Sequence, residues 1–342
     1  MMKKEWIELN AEIVAAASVA GKKERNGPLG EKFDLCDMSD RFGMKTWEGA
    51  ESEMQRMAFN TVLAKAKLKD GDIGAMFAGD LLNQCVGSAY GLLDFDIPYF
   101  GLYGACSTCA EGLLLASVMV SNSIYEYCGA VTSSHYCSAE RQYRTPLEYG
   151  GQRPPTAQWT VTGSGAFIVK NAARETGTHA VIRRGMPGKA MEKGVNDANN
   201  MGAAMAPAAL DTLVRFFRST QTTPADYDLI ATGDLGYEGG TILCELMLTE
   251  GFDMRNRYTD CGQRIYFKTE QDVHGGGSGC GCSAVVLAAD LLPRLECGEY
   301  RRILFLSTGA MMSPDSIKQG QNIPAVAHLL EIEAPIKIKK TK

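Results

Sequence analysis

LKDGDIGAMFAGDLL, Leu68–Leu82, and TTPADYDLIATGDLG, Thr222–Gly236, share one form: a short turn, an apolar strand and a Gly-Asp-Leu close. The two aspartates, Asp80 and Asp234, lie 234 − 80 = 154 residues apart. Each copy follows a stretch with helical apolar spacing, near 48–67 and near 204–219. Two more pairs fall in the same order. GACSTCAEGLLLAS resembles GSGCGCSAVVLAAD, with Cys106 opposite Cys280 (280 − 106 = 174), and EYCGAVTSSH resembles EYRRILFLSTG, with Tyr127 opposite Tyr300 (300 − 127 = 173). Three matches in register predict a duplicated α/β unit. TVTGSGAFIVK reads as a strand closing the first copy and THAVIRRG as one opening the second, which puts the boundary near Asn171. The expected halves are 1–171, with Cys106 and a long loop over 136–159, and 172–342, with a glycine loop over 274–283.

The chain has 342 residues and a formal net charge of -5, with no basic stripe of the kind phosphate backbones require, so nucleic acid is not an expected partner. Its eleven cysteines are odd in number, and several sit in apolar runs, which predicts reduced thiols in a reducing compartment. Glu5, Glu8 and Glu12 interrupt the N-terminal stretch before it reaches the apolar length of a signal peptide. The longest apolar run, near Leu113–Val120, is too short to span a bilayer. Cytoplasmic synthesis is expected, with any membrane association peripheral.

Cys106 follows the probable strand IPYFGLYG and precedes a helix. Unpaired N–H groups at a helix start stabilise a thiolate and make it a better nucleophile, while a buried cysteine is more often a small hydrophobe; here the two readings are even. Cys109, one helical turn further on, reads as packing. The pair spells C-x-x-C, but a thioredoxin-like context is missing and Cys280 with Cys282 has the wrong spacing for a zinc ribbon, so no metal site is expected. Acyl transfer through a cysteine needs a base and oxyanion donors. Of the four histidines, His135 ends a strand and His274 opens the loop HGGGSGCG, so both could reach a central site; His179 and His328 read as structural. The glycine run can present backbone N–H groups to an anion or simply turn the chain.

Taken together, the duplication, the cysteine at a strand-to-helix turn and the late glycine loop resemble the thiolase-like superfamily, including the type three ketoacyl-ACP synthases. AGDLLNQ, GACST, TSSH, AERQYRTPLEYGGQRPPTAQWTVTGSGA, MGAAMAPAALDT, DYDLIATGDL, DCG and GGGSGCGCSAVV are similar more specifically to the stage V sporulation protein AD family. The resemblance covers nearly the whole chain. It implies a five-layer α-β-α-β-α fold, commonly homodimeric, with Cys106 at the nucleophile's position. Condensing enzymes carry a histidine after the strand matching DLIATGDLG, where this chain has Asp234, and an Asn or second His further on, where it reads YTDCGQ with Asp260 and Cys261. A carboxylate repels a thioester oxyanion unless protonated, which sets the usual condensation in doubt.

The family resemblance implies binding of pyridine-2,6-dicarboxylate (dipicolinic acid), alone or with calcium, and assistance to its uptake into the developing spore. It also implies peripheral placement at the spore inner membrane beside other stage V membrane proteins. No covalent cofactor is expected; calcium would enter only as the dipicolinate chelate. A small dianion needs N–H donors and a cation. The expected donors are at Cys106, Ser107, Gly276 and Gly277, the expected cations are Arg144 and Arg153, and His135, Asp234 and His274 complete the expected pocket. Two other readings stand beside this one: an active acyltransferase with Cys106 as nucleophile and His135 as base, and a structural assembly protein.

Overall fold

A computed structural model describes residues 5–143, 153–172 and 178–335. Thirteen strands are present among them: β1 (Ile7–Ala20), β2 (Leu35–Cys36), β3 (Ala75–Gly79), β4 (Tyr99–Leu102), β5 (Tyr127–Ser134), β6 (Trp159–Thr160), β7 (Gly163–Asn171), β8 (Val181–Met186), β9 (Leu229–Thr232), β10 (Tyr258–Asp260), β11 (Gly277–Ser278), β12 (Arg302–Ala310) and β13 (Ala325–Glu333). The main sheet runs β10-β9-β12-β13-β8-β1-β7-β5-β3-β4, with β2 beside β1. From the β4 edge inward, the order is β4-β3-β5-β7-β1; from the β10 edge it is β10-β9-β12-β13-β8. Numbered within each set, both read 3-2-4-5-1. Directions repeat as well: β3 is parallel to β4 and β5, β9 is parallel to β10 and β12, and the β5–β7–β1 and β12–β13–β8 pairings are antiparallel. Antiparallel pairing of β1 with β8 joins the two sets.

The helices fill the layers by polarity. Thr108–Ser121, TCAEGLLLASVMVS, is apolar or small nearly all round, which is what a helix buried on every side requires. It packs on β5, β7 and β1 from one side and on β12 and β13 from the other, and it touches the helix Cys280–Val286 within the middle layer. Outside, Trp47–Ala66 covers β1, β7 and β5, and Met201–Thr220 covers β13 and β12, giving the α-β-α-β-α sequence of layers. The outer helices start and stop alike. Thr46 and Asn200 cap their N-termini through the side chain, and Lys67 and Gln221 end them in the left-handed conformation.

One expectation needs correction. The stretch 136–159 is not irregular throughout, because Tyr136–Tyr143 is helical. Its sequence, YCSAERQY, contains neither Gly nor Pro; those residues gather after it, where residues 144–152 lie outside the described chain.

Candidate functional site

Strand β4 leads into a 3-10 turn, Ala105–Ser107, that opens the helix Thr108–Ser121. Ala105 has φ +50°, a left-handed conformation that costs a residue with a Cβ about 1 kcal/mol or more. The turn is held because β12 crosses it closely: a Cβ on Gly309 would lie 2.4 Å from the Gly104 carbonyl oxygen. Cys106 is thereby aimed at the loop after β9. There the Asp234 carboxylate, the Gly279 N–H and the Ser278 hydroxyl are the groups that act electrostatically on its thiol.

Asp234 is fully buried and gathers these groups. Its Oδ2 accepts from Ser278 Oγ at 3.1 Å and Gly279 N at 3.0 Å, and its Oδ1 accepts from Thr308 Oγ1 at 2.9 Å. Gly279 supplies its N–H from φ +105°, a conformation suited to glycine. Burial raises the Asp234 pKa despite these donors. Burial first, and then the Asp234 charge, push the Cys106 thiol well above its ordinary range. The consequence is chemical: Cys106 is held as a thiol, and the donors that could stabilise an anion at the sulfur or a nearby oxyanion serve a carboxylate instead.

Asp260 stands behind this loop and is not bonded to Cys106. It accepts from Thr232 Oγ1 at 2.6 Å, Leu235 N at 2.9 Å and Gly236 N at 3.0 Å, so it fixes the chain on either side of Asp234's exit from β9. Burial, reinforced by the Asp234 charge, raises its pKa to about 7.

The other expected site residues are placed elsewhere. His135 is buried, with Nε2 2.7 Å from the Asp40 carbonyl and Nδ1 accepting from Cys137 N at 3.1 Å. Both ring nitrogens are thus committed, Nε2 as donor and Nδ1 as acceptor, and burial lowers the ring's pKa. His274 bonds the Pro154 carbonyl through Nδ1 at 2.9 Å and pairs with Asp272 through Nε2 at 2.9 Å. Arg153 binds the Asp272 carbonyl at 2.6 Å and lies over the Trp159 ring, tying two loops together. Arg144 lies outside the described residues. The Ser107 N–H and hydroxyl both return to the Gly104 carbonyl, and the Gly276 N–H is taken by the Val273 carbonyl at 3.0 Å. Gly277 is occupied in pairing β11 with β6. Of the expected set, the structure brings Cys106 and Asp234 together; Ser278, Gly279 and Thr308 complete the cluster.

Cys106 opens into a cavity of about 230 Å³. Leu81, Ala139, Met201 and Met312 supply apolar walls, while Glu140, Tyr143, Asn199 and Ser278 supply polar ones. No lysine, arginine or histidine lines it among the described residues. Glu140 accepts from Thr160 Oγ1 at 3.0 Å, and Tyr143 donates to the Leu81 carbonyl at 2.9 Å.

Comparison with known proteins agrees with this architecture. The profile of the stage V sporulation protein AD family matches residues 3–333. Stage V sporulation protein AD of Bacillus subtilis (strain 168) is 41% identical over 314 residues, covering 92% of this chain and 91% of that protein. Among solved structures, cerulenin-bound OleA of Xanthomonas campestris superposes with a TM-score of 0.60 at 15% identity, covering 95% of this chain and 97% of that one. A cysteine-to-alanine variant of the same OleA gives a TM-score of 0.60 at 14% identity, over 97% and 99% of the two chains. At that identity the likeness is one of fold: thiolase-like.

Proposed function

The chain belongs to the stage V sporulation protein AD family, and from that premise we propose that it uses a thiolase-like pocket to bind dipicolinate, free or as its calcium chelate, during uptake into the developing spore. The observation that carries the binding reading over the condensing one is the buried Asp234 carboxylate, which takes the Ser278 hydroxyl and the Gly279 N–H beside Cys106. A carboxylate against the sulfur opposes thiolate formation and repels a developing oxyanion, while His135, the expected base, spends both ring nitrogens on Asp40 and Cys137. The cavity persists although the attacking group is suppressed.

Charge favours the chelate in the inner cavity. The described walls offer the Glu140 carboxyl with Asp234 close behind and no cation, so a dianion is poorly matched there, whereas the one-to-one calcium chelate is formally neutral. Calcium in this reading is cargo.

Two wider features belong to the same proposal. The protein acts as a homodimer through the β4 edge, where Tyr99 and Phe100 are 41% and 45% exposed at the end of the main sheet. It works at the spore inner membrane beside other stage V membrane proteins; no helix among the described residues is long and apolar enough to cross a membrane. Isothermal calorimetry with dipicolinate, with and without calcium, tests the ligand: saturable heat is expected, and no heat in either condition would overturn the reading.

A further inference from the structure

The cavity at Cys106 does not end at its own walls. Tyr143, Ala198 and Met312 also line a second cavity of about 140 Å³, which continues past Gln142, Pro314 and Ile317 to Lys318. The two chambers therefore adjoin, and these three shared residues form the neck of protein between them. Its walls differ in stiffness: the Tyr143 hydroxyl is pinned to the Leu81 carbonyl, whereas Met312 is unbranched and adapts readily to a passing group.

Lys318 is the one lysine, arginine or histidine lining either chamber among the described residues. It ends the short helix Pro314–Lys318, whose start is fixed by reciprocal Ser313 and Ser316 hydroxyl bonds to each other's backbone N–H, at 3.1 and 3.0 Å. The side chain is exposed and has no hydrogen bond or ion pair among the described residues. The inner chamber offers a carboxyl, a thiol and apolar surface; the outer one offers an unpaired positive charge.

We infer that Lys318 forms an anion-capture subsite at the mouth of the pocket, holding one carboxylate of the free dicarboxylate while the ring faces the Tyr143–Met312 neck. This rests on the binding reading above and adds to it a residue that distinguishes two forms of the ligand. A free dianion gains from Lys318. The neutral chelate, whose carboxylates already face calcium, does not. Attraction at an exposed mouth also weakens with added salt, so dianion binding carries a salt dependence that chelate binding lacks.

Calorimetry on the full-length protein tests this with pyridine-2,6-dicarboxylate in the presence of a chelator of divalent ions, and with the preformed calcium complex. Lys318→Glu is compared with Lys45→Glu, an exposed lysine outside both chambers. Lys318→Glu is expected to raise the dissociation constant for the dianion by about tenfold at low salt, and that of the chelate by less than about twofold. Lys45→Glu is expected to leave both unchanged. Equal effects of the two substitutions, or equal loss of both ligand forms in Lys318→Glu, would overturn the inference while leaving dipicolinate binding in place. Failure of the unsubstituted protein to bind either form would overturn the binding reading and this inference with it.

Discussion

Asp80 and Asp234 close the same Gly-Asp-Leu motif at the ends of equivalent strands, β3 and β9, yet they spend their charge differently. Asp80 stays local: it accepts from Leu82 N at 2.8 Å, Ser88 N at 2.7 Å and Ser88 Oγ at 2.6 Å, and so folds the turn that follows it. Asp234 reaches across to Ser278, Gly279 and Thr308, and its charge acts on Cys106. The cysteines differ in the same sense. Cys106 faces the charge of Asp234, whereas its counterpart Cys280 donates to the Ala105 carbonyl at 3.2 Å. Duplication supplied two buried acids, and the groups facing each one decided that the first would be scaffold and the second would govern a pocket.

The largest expected effect separates those roles. Asp80→Ala leaves the Leu82 and Ser88 N–H groups and the Ser88 hydroxyl without their buried acceptor, and should cost about 3–4 kcal/mol in urea unfolding. Cys106 alkylation in the variant's folded state should remain as slow as in the parent; acceleration there would break the division between the two aspartates.

Asp234→Asn tests the other side. Removing the charge beside Cys106 should move the midpoint of its iodoacetamide alkylation profile to lower pH and speed labelling below that midpoint. An unchanged profile would show that burial alone suppresses the thiol.

Each aspartate also has a second buried carboxyl nearby, Glu51 for Asp80 and Asp260 for Asp234. Glu51 accepts from, or when protonated donates to, Ser133 Oγ at 3.0 Å and Ser138 Oγ at 2.6 Å; Ser138 in turn can donate to the His135 carbonyl at 3.1 Å, so a protonated Glu51 has a complete path for its hydrogen. Burial, with the Asp80 charge second, raises its pKa from 4.5 to about 8. Between those values the folded state keeps a proton that the unfolded chain releases, so this group's contribution to stability is full below pH 4.5 and falls as pH rises toward 8. Glu51→Gln should therefore flatten the stability profile across that window while costing less than about 1 kcal/mol at pH 4.5. A profile as steep as the parent's would place the titration elsewhere.

The smallest effect compares the turns ahead of the two cysteines. Ala105 and Gly279 both have positive φ, but only the second is glycine. Ala105→Gly should relieve the left-handed strain and raise stability by up to about 1 kcal/mol in thermal or urea unfolding, less the entropy glycine adds to the unfolded chain.

The fold was legible because its signal is repeated. Gly-Asp-Leu, the Cys106 and Cys280 turns and the Tyr127 and Tyr300 strands each mark one step of a topology that the sheet carries twice. Asp234 was legible for a related reason, as a departure from a pattern at a position the pattern makes chemically important. The rest of the site required distances. His135 looked available because it ends a strand at the right end of the sheet, but nothing in TSSH shows that the Asp40 carbonyl will claim its ring. Gly276 and Ser107 had the right backbone groups, and each N–H is consumed by a turn only a few residues long. Ser278 and Gly279 lay within the glycine loop that the sequence pointed to, one or two residues beyond the donors expected of it. Thr308 carried no signal beyond its place near the end of the strand RILFLSTGA.

The central proposal is that a thiolase-like fold here holds a pocket that binds without attacking. Intact-protein and peptide mass spectrometry after incubation with acetyl-CoA, malonyl-CoA and longer acyl-CoA thioesters tests it most directly. The account predicts no acyl adduct on Cys106 in the parent protein. A covalent Cys106 adduct that forms and then turns over would contradict it.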